Sequence, residues 1–212
     1  MPHKNVIRHF ESGATYHCYN RGVEKRIIFN DEQDYGVFLQ RLKLMLADPE
    51  IISEDYPERQ RLKSYYGDIE LLSYCLMPNH FHLLLSQKTD HAIPEMMQTL
   101  STSYTMYFNA RNDRVGSLFQ GRYKASRVDS DAYALHISRY IHLNPYDLPG
   151  GFERYLYSSM RYLAEPSTCP EWLNVEKVLE NHYDSYEKYR QFVEEYANSD
   201  DFEYLEDDFS LA

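Results

Sequence analysis

The segment Ser73–Ser86 reads Ser-Tyr-Cys-Leu-Met-Pro-Asn-His-Phe-His-Leu-Leu-Leu-Ser and sets His80 and His82 two positions apart. On a strand, residues i and i+2 share a face. Both imidazoles therefore project side by side with Leu84, while Phe81, Leu83 and Leu85 face the other way. Neutral imidazole is a common ligand for divalent metals, and two of them supply adjacent corners of a coordination sphere. The competing reading is a pair of core or turn histidines, each of which needs a buried polar partner. Further along, Ser138-Arg139-Tyr140-Ile141-His142-Leu143-Asn144-Pro145 places Tyr140 and Asn144 four apart on one helix face. Asn144 offers a carbonyl oxygen as a third ligand. Tyr140 offers a phenol that could attack a metal-polarised phosphate, or alternatively a core aromatic anchoring its helix. Two His and an amide oxygen, with positions left for water and phosphate, suit Mg²⁺ or Mn²⁺; a soft zinc site would favour Cys, and none accompanies the pair.

The elements that must position these groups can be read in order. Residues 1–14 form a short arm, and Ala14–Asn20 has the alternating, β-prone character of a first strand ending at Arg21-Gly22. Asn30 is the expected helix cap, with Gln33 in the capping-box position. Tyr35, Phe38, Leu39, Leu42 and Met45 follow at helical spacing. Residues 48–67 are polar, contain Pro49 and Pro57, and read as a loop with possible helical pieces. Strands Ile69–Met77 and Phe81–Ser86 are joined at a Pro78-Asn79 turn, for which both residues are suited. Pro94 opens a second helix striped by Met97, Leu100, Tyr104 and Tyr107 and ending near residues 109–112. Leu118–Val128 reads as a last strand. Ser130 caps a third helix running to Leu143, where Pro145 biases Asn144 away from the helical region. The order β-α-β-β-α-β-α predicts an α+β, ferredoxin-like sandwich, with an antiparallel sheet, helices on one face, and the Tyr140 helix added.

The chain has 212 residues, 43% of them apolar and 21 of them tyrosine, so no tyrosine stands out by type alone. Three widely spaced cysteines, Cys18, Cys75 and Cys169, form no C-x-x-C and no disulfide framework, which fits a reducing compartment. No apolar run long enough to span a membrane and no apolar leader is seen, so a cytoplasmic, soluble protein is expected. The net charge of −11 is uneven: residues 1–144 hold 17 basic and 17 acidic residues, and residues 145–212 hold 5 and 16. Within the neutral part, Arg111, Arg114, Arg122, Lys124 and Arg127 face only Asp113 over residues 111–127 and alternate with Phe119 and Tyr123. Cations for phosphates and rings for bases are what a single-stranded nucleic-acid surface needs; an ordinary solvated strand edge would look the same.

Met77-Pro78-Asn79-His80-Phe81-His82-Leu83-Leu84-Leu85, then Leu118-Phe119-Gln120-Gly121-Arg122-Tyr123-Lys124, then Tyr140-Ile141-His142-Leu143-Asn144-Pro145, together resemble the HUH-type single-tyrosine transposases, most closely the REP-associated tyrosine transposase branch. Tyr16-His17 with Asn20-Arg21-Gly22 resembles that family's first strand, and Tyr157-Ser158-Ser159-Met160-Arg161-Tyr162 resembles a stretch of its longer members. The resemblance implies that His80, His82 and Asn144 hold Mg²⁺ or Mn²⁺. It also implies that Tyr140 attacks a DNA phosphodiester to leave a 5′-phosphotyrosine and a free 3′-hydroxyl, and that the substrate is single-stranded DNA carrying REP-like hairpins. Arg21, Arg111, Arg114, Arg122, Tyr123, Lys124 and Arg127 are the expected DNA contacts. Tyr104, Tyr107 and Tyr133 are rival nucleophiles; only Tyr140 has Asn144 one turn on and lies in the matching segment. His142 is given no role.

Three domain spans follow: a catalytic domain over 1–148, a helical extension over 149–197 with short helices expected near Asn174–Asn181 and Ser185–Tyr196, and an acidic, poorly ordered tail over 198–212. The tail either solubilises the chain or screens the basic strip. A monomer is favoured over a homodimer. Two other functions compete: a hairpin-binding module that does not cut, which would need neither the His pair nor Tyr140, and a water-using metal-dependent phosphodiesterase, which would leave no adduct.

Overall fold

Alternation of apolar and polar residues resolves into a four-stranded sheet in this computed structural model, which describes residues 9–55, 62–180, 183 and 185–197. The strands are β1 (Thr15–Arg21), β2 (Ile69–Met77), β3 (His80–Gln87) and β4 (Lys124–Val128). They lie in the order β2-β3-β1-β4, and every neighbouring pair is antiparallel. This is the ferredoxin-like α+β arrangement. The helices are α1 (Glu32–Leu46), α2 (Pro49–Asp55), α3 (Ala92–Arg111), α4 (Asp131–Leu143), α5 (Gly151–Arg154), α6 (Met160–Ala164) and α7 (Tyr186–Ala197). Among the described residues, no helix is long and apolar enough to cross a membrane. The acidic tail lies outside the described residues.

The two faces of the sheet do different work. Phe81, Leu83 and Leu85 point toward α1 and α3, where Phe38 meets Phe81 at 5.1 Å between ring centroids and Tyr104 at 5.0 Å. The opposite face, carrying His17, Tyr19 and His82, is covered by α4 and by the extension beyond it. The pleat makes this division: Tyr19 stands opposite His82, which stands opposite Cys75, so all three share that face.

Several local expectations shift. The N-cap of α1 is Asp31 rather than Asn30; the Asp31 carboxylate accepts from the Gln33 and Asp34 backbone N–H groups, while the Asn30 N–H donates to the buried Asp34 carboxylate at 2.8 Å. Part of the polar stretch after α1 forms α2. The last strand is shorter than Leu118–Val128 and begins at Lys124. Residues 118–123 instead cross the end of β1, tied by the Phe119 bridge to Gly22 and by Gln120 N–H donating to the Arg21 carbonyl at 2.8 Å. Gly22 is required there, because a Cβ would meet the Arg26 carbonyl oxygen at 2.2 Å.

The extension is not a loose appendage. Its Leu173 bridges Leu71, and its Ser158 bridges Cys75. Of the two helices expected there, the second is present as α7, while the first is only a short 3-10 turn, Glu176–Val178. Helix α4 is tied to α7 by His142 Nδ1 to Tyr189 Oη at 2.7 Å and Ser138 Oγ to Tyr189 Oη at 2.9 Å, and to the start of α6 by His142 Nε2 to Ser159 Oγ at 2.7 Å. Arg139 lies against the Phe192 ring at 4.1 Å and the Tyr196 ring at 3.7 Å. His142, to which the sequence gives no role, thus joins α4 to the elements that hold it on the sheet.

Candidate active site

The tight Pro78-Asn79 turn delivers His80 at the first position of β3, with His82 one pleat further in. Asn79 does more than turn the chain: its Oδ1 lies 2.7 Å from His80 Nδ1. His80 Nε2 faces Asn144 Oδ1 at 3.1 Å. The Asn144 amide is oriented by its Nδ2, which donates to the Tyr140 carbonyl at 2.9 Å. Pro145 ends α4, yet Asn144 keeps helical dihedrals (φ −45°, ψ −41°), against the expected bias. That conformation keeps its side chain one turn on from Tyr140.

The donor set fits a hard divalent cation. Burial lowers the His80 pKa to about 4, opposed by the facing Asn144 amide and assisted by the Arg21 charge. The neutral ring has one N–H for two facing amide oxygens. With that hydrogen on Nδ1, toward the nearer Asn79 oxygen, the Nε2 lone pair confronts the Asn144 oxygen lone pairs with nothing between them. A cation satisfies both. Ligand atoms about 2.1 Å from an octahedral ion stand about 3 Å from each other, the spacing seen here.

A third imidazole, not singled out in the sequence as a site group, completes the cluster. His17 Nε2 lies 2.8 Å from His82 Nδ1, and both residues are fully buried. Burial lowers the His17 pKa to about 3 and that of His82 well below its ordinary value, the latter assisted by the neighbouring imidazoles. With Nδ1 of His82 engaged by His17, Nε2 is the nitrogen available to a ligand. Strand alternation alone places His17 on the face of Tyr19 and Arg21, and this was the available signal. Tyr19 stacks on His82 at 5.6 Å and on His17 at 4.9 Å.

Tyr140 covers the histidines from α4. Its ring stands edge-on to His82 at 5.4 Å and to His17 at 6.0 Å. The rival tyrosines are elsewhere. Tyr104 and Tyr107 lie on α3, across the sheet, where their hydroxyls donate to the Ile28 carbonyl and to Asp34. Tyr133 sits in the first turn of α4, far along the helix from Tyr140.

The basic strip divides. Arg111 is committed to α1, with its guanidinium 2.5 Å from Asp31 and 2.5 Å from the fully buried Asp34. Tyr123 is a core residue, buried to 6% exposure, so it has no open ring face for a base. Arg114 donates to Asn109 Oδ1 at 2.8 Å, and Arg127 pairs with Glu11 and Asp129. Arg122 is exposed, while Lys124 and Arg21 are partly buried on the site face beside the histidines.

The site thus consists of a ferredoxin-like sheet whose central strand presents His-x-His beneath a helix-borne tyrosine and amide. Residues 48–144 match the family model described as "Transposase IS200 like". Among solved structures, a REP-associated tyrosine transposase bound to a REP hairpin is similar at 13% identity and a TM-score of 0.55, over 78% of this chain and 87% of the other. A crystal structure assigned as a transposase from Deinococcus radiodurans R1 is similar at 19% identity and a TM-score of 0.37, over 66% and 95%. No curated protein sequence matches the chain. Residues 48–144 are thus similar to the IS200-like transposases, and the chain shares its fold with a REP-associated tyrosine transposase.

Proposed function

We infer that this protein is a metal-dependent single-stranded DNA nicking and strand-transfer enzyme that works through a covalent tyrosine intermediate on hairpin DNA. One observation carries the reading: Tyr140 is lodged against His82, and one pleat away on the same strand His80 Nε2 and Asn144 Oδ1 face each other across 3.1 Å. His80, His82 and Asn144 would hold the ion. Bound Mg²⁺ or Mn²⁺ would supply Lewis-acid polarisation and alignment of the scissile phosphate. His17 fixes the His82 ring, and the Asn79 contact fixes the His80 ring. Helix α4 presents the Tyr140 hydroxyl as nucleophile. Its oxygen bonds to phosphorus as the P–O3′ bond breaks, leaving a 5′-phosphotyrosine and a 3′-hydroxyl. Because the phosphodiester energy is conserved in the adduct, the 3′-hydroxyl can reverse the step and join strands.

Hairpin DNA as the substrate is supported by the REP hairpin bound to the similar transposase, and by the exposed Arg122 beside Lys124 at the edge of the site. The cis arrangement favours a monomer: Tyr140 reaches the histidines of its own chain, and the bonds from α7 and Ser159 hold its helix there. Incubation with a 5′-labelled and a 3′-labelled hairpin, with and without Mn²⁺, tests the reading. A denaturant-resistant adduct on the 5′-phosphate side and a free 3′-hydroxyl, both requiring metal, are expected. A freely released 5′-phosphate with no adduct would point to water as the nucleophile and contradict it.

A further inference from the structure

The arginine that ends β1 is built into the site with one edge of its guanidinium unused. Arg21 stands opposite His80 in the β1–β3 register, so the two side chains leave the same sheet face. Its Nε and Nη2 are buried and meet no acceptor. Those two atoms form the side-on edge of the guanidinium, whose parallel N–H groups match two oxygens of one phosphate. Leaving buried charged donors unmade costs stability. The backbone nevertheless holds the residue in place: Arg21 N–H donates to Asn20 Oδ1 at 2.9 Å, its carbonyl accepts from Gln120, and Gly22 N–H donates to the Asn79 carbonyl at 2.9 Å. Lys124, opposite Tyr19 on β4, puts a second cation on that face. Burial and the Arg21 charge both hold Lys124 below its ordinary pKa. Two cations converge beside the histidines, and among the described residues no carboxylate is paired with either.

We propose that Arg21 is a catalytic residue of strand cleavage: its Nε–H and Nη2–H groups grip the oxygens of the phosphate attacked by Tyr140 and hold the negative charge that gathers on them in the transition state. The proposal rests on the tyrosine-transfer reading above. The balance of the step is unchanged by it. The Tyr140 O–P bond forms, the P–O3′ bond breaks, the phenol gives up one proton and the 3′-oxygen leaves as a hydroxyl. Arg21 stays charged throughout. Preorganised donors of this kind act because no reorganisation is needed as charge develops.

The test compares wild type, Arg21→Gln and Arg21→Lys on two metal-supplied hairpins, one with a phosphodiester and one with an uncharged methylphosphonate at the cleaved position. Adduct rate and thermal midpoint are both read. Arg21→Gln is expected to slow the phosphodiester about 10²-fold or more, the scale of removing one oxyanion donor, and the methylphosphonate less than about 10-fold. Arg21→Lys recovers only part of the loss, because a point charge lacks the fork. The thermal midpoint of Arg21→Gln stays level or rises, since buried unmade donors are removed. Equal losses on both substrates, a wild-type rate in Arg21→Gln, or a fall in thermal midpoint that accompanies the loss would overturn the proposal while leaving the Tyr140 adduct of the wild type intact. Absence of any adduct in the wild type would overturn the underlying reading and the proposal with it.

Discussion

His17 Nε2 lies 2.8 Å from His82 Nδ1, joining the first strand of the sheet to the His-x-His strand beside it. The bond turns His82 so that its other nitrogen can act as a ligand. Groups that orient a metal-binding histidine are commonly worth 10–100-fold in metal affinity. His17→Phe, which keeps a ring in the buried space, is therefore expected to weaken Mn²⁺ binding about 10-fold or more, measured by calorimetric titration. Unchanged Mn²⁺ affinity would remove His17 from the account.

Arg111 illustrates a cation that looks like a DNA contact and is a structural one. It compensates the buried Asp34, which also accepts from Tyr107 Oη at 2.8 Å. Arg111→Gln leaves that carboxylate short of its charge partner, and breaking such a buried pair costs about 3–5 kcal/mol. Urea unfolding should show a loss near the lower end of that range, because the Tyr107 and Asn30 bonds remain. Hairpin affinity of the still-folded fraction should stay within about 2-fold of wild type, since one lost phosphate contact would instead lower the salt slope by about 1.

Acid should unfold this protein through its buried histidines. Burial lowers the pKa of His17 and His142 to about 3 and that of His80 to about 4. Each is neutral in the folded state, while the unfolded chain takes up protons below about pH 6.5. The unfolded state then binds more protons, so stability rises with pH in this window. It is complete above about pH 6.5 and is lost as pH falls toward about 3. Each such histidine removes roughly 1.5 kcal/mol between pH 6.5 and 5. Urea midpoints should fall steeply over that range, and His142→Gln should flatten the dependence. A midpoint independent of pH from 7 to 5 would show that these rings are protonated or exposed in solution.

The clamp on α4 gives a separate expectation. Arg139 is sandwiched by two α7 rings, and desolvated cation–π contacts are worth about 2 kcal/mol. Arg139→Ala should lower stability by about 2 kcal/mol and loosen α7, seen as faster hydrogen exchange across Tyr186–Ala197 and in the last turns of α4. Protection unchanged in both helices would show that α7 does not hold the Tyr140 helix.

Much of this site was legible from residue order because each part obeys a local rule. His80 and His82 share a face by strand alternation, and Tyr140 and Asn144 share one by helical spacing. The Pro78-Asn79 dipeptide marks a two-residue turn. What brings the two halves together is less visible. Asn144 stays helical before a proline because of its amide contacts to Tyr140 and His80, which are tertiary facts. The burial of Tyr123 and the commitment of Arg111 to Asp34 depend on which helix packs where, so a basic, aromatic stretch reads as a nucleic-acid surface until the fold divides it. His17 and the Tyr189–His142–Ser159 bonds connect residues distant in sequence, and no spacing rule pairs them.

Tyr140 is the proposed nucleophile on a DNA phosphate. The most direct measurement is the Tyr140→Phe variant, incubated with labelled hairpin DNA and Mn²⁺ and resolved under denaturing conditions. The ring and its packing against His82 and His17 are kept, and only the hydroxyl is lost. Complete loss of the covalent DNA–protein adduct with hairpin affinity within about 3-fold of wild type is the expected result. An adduct that persists in Tyr140→Phe would contradict the account.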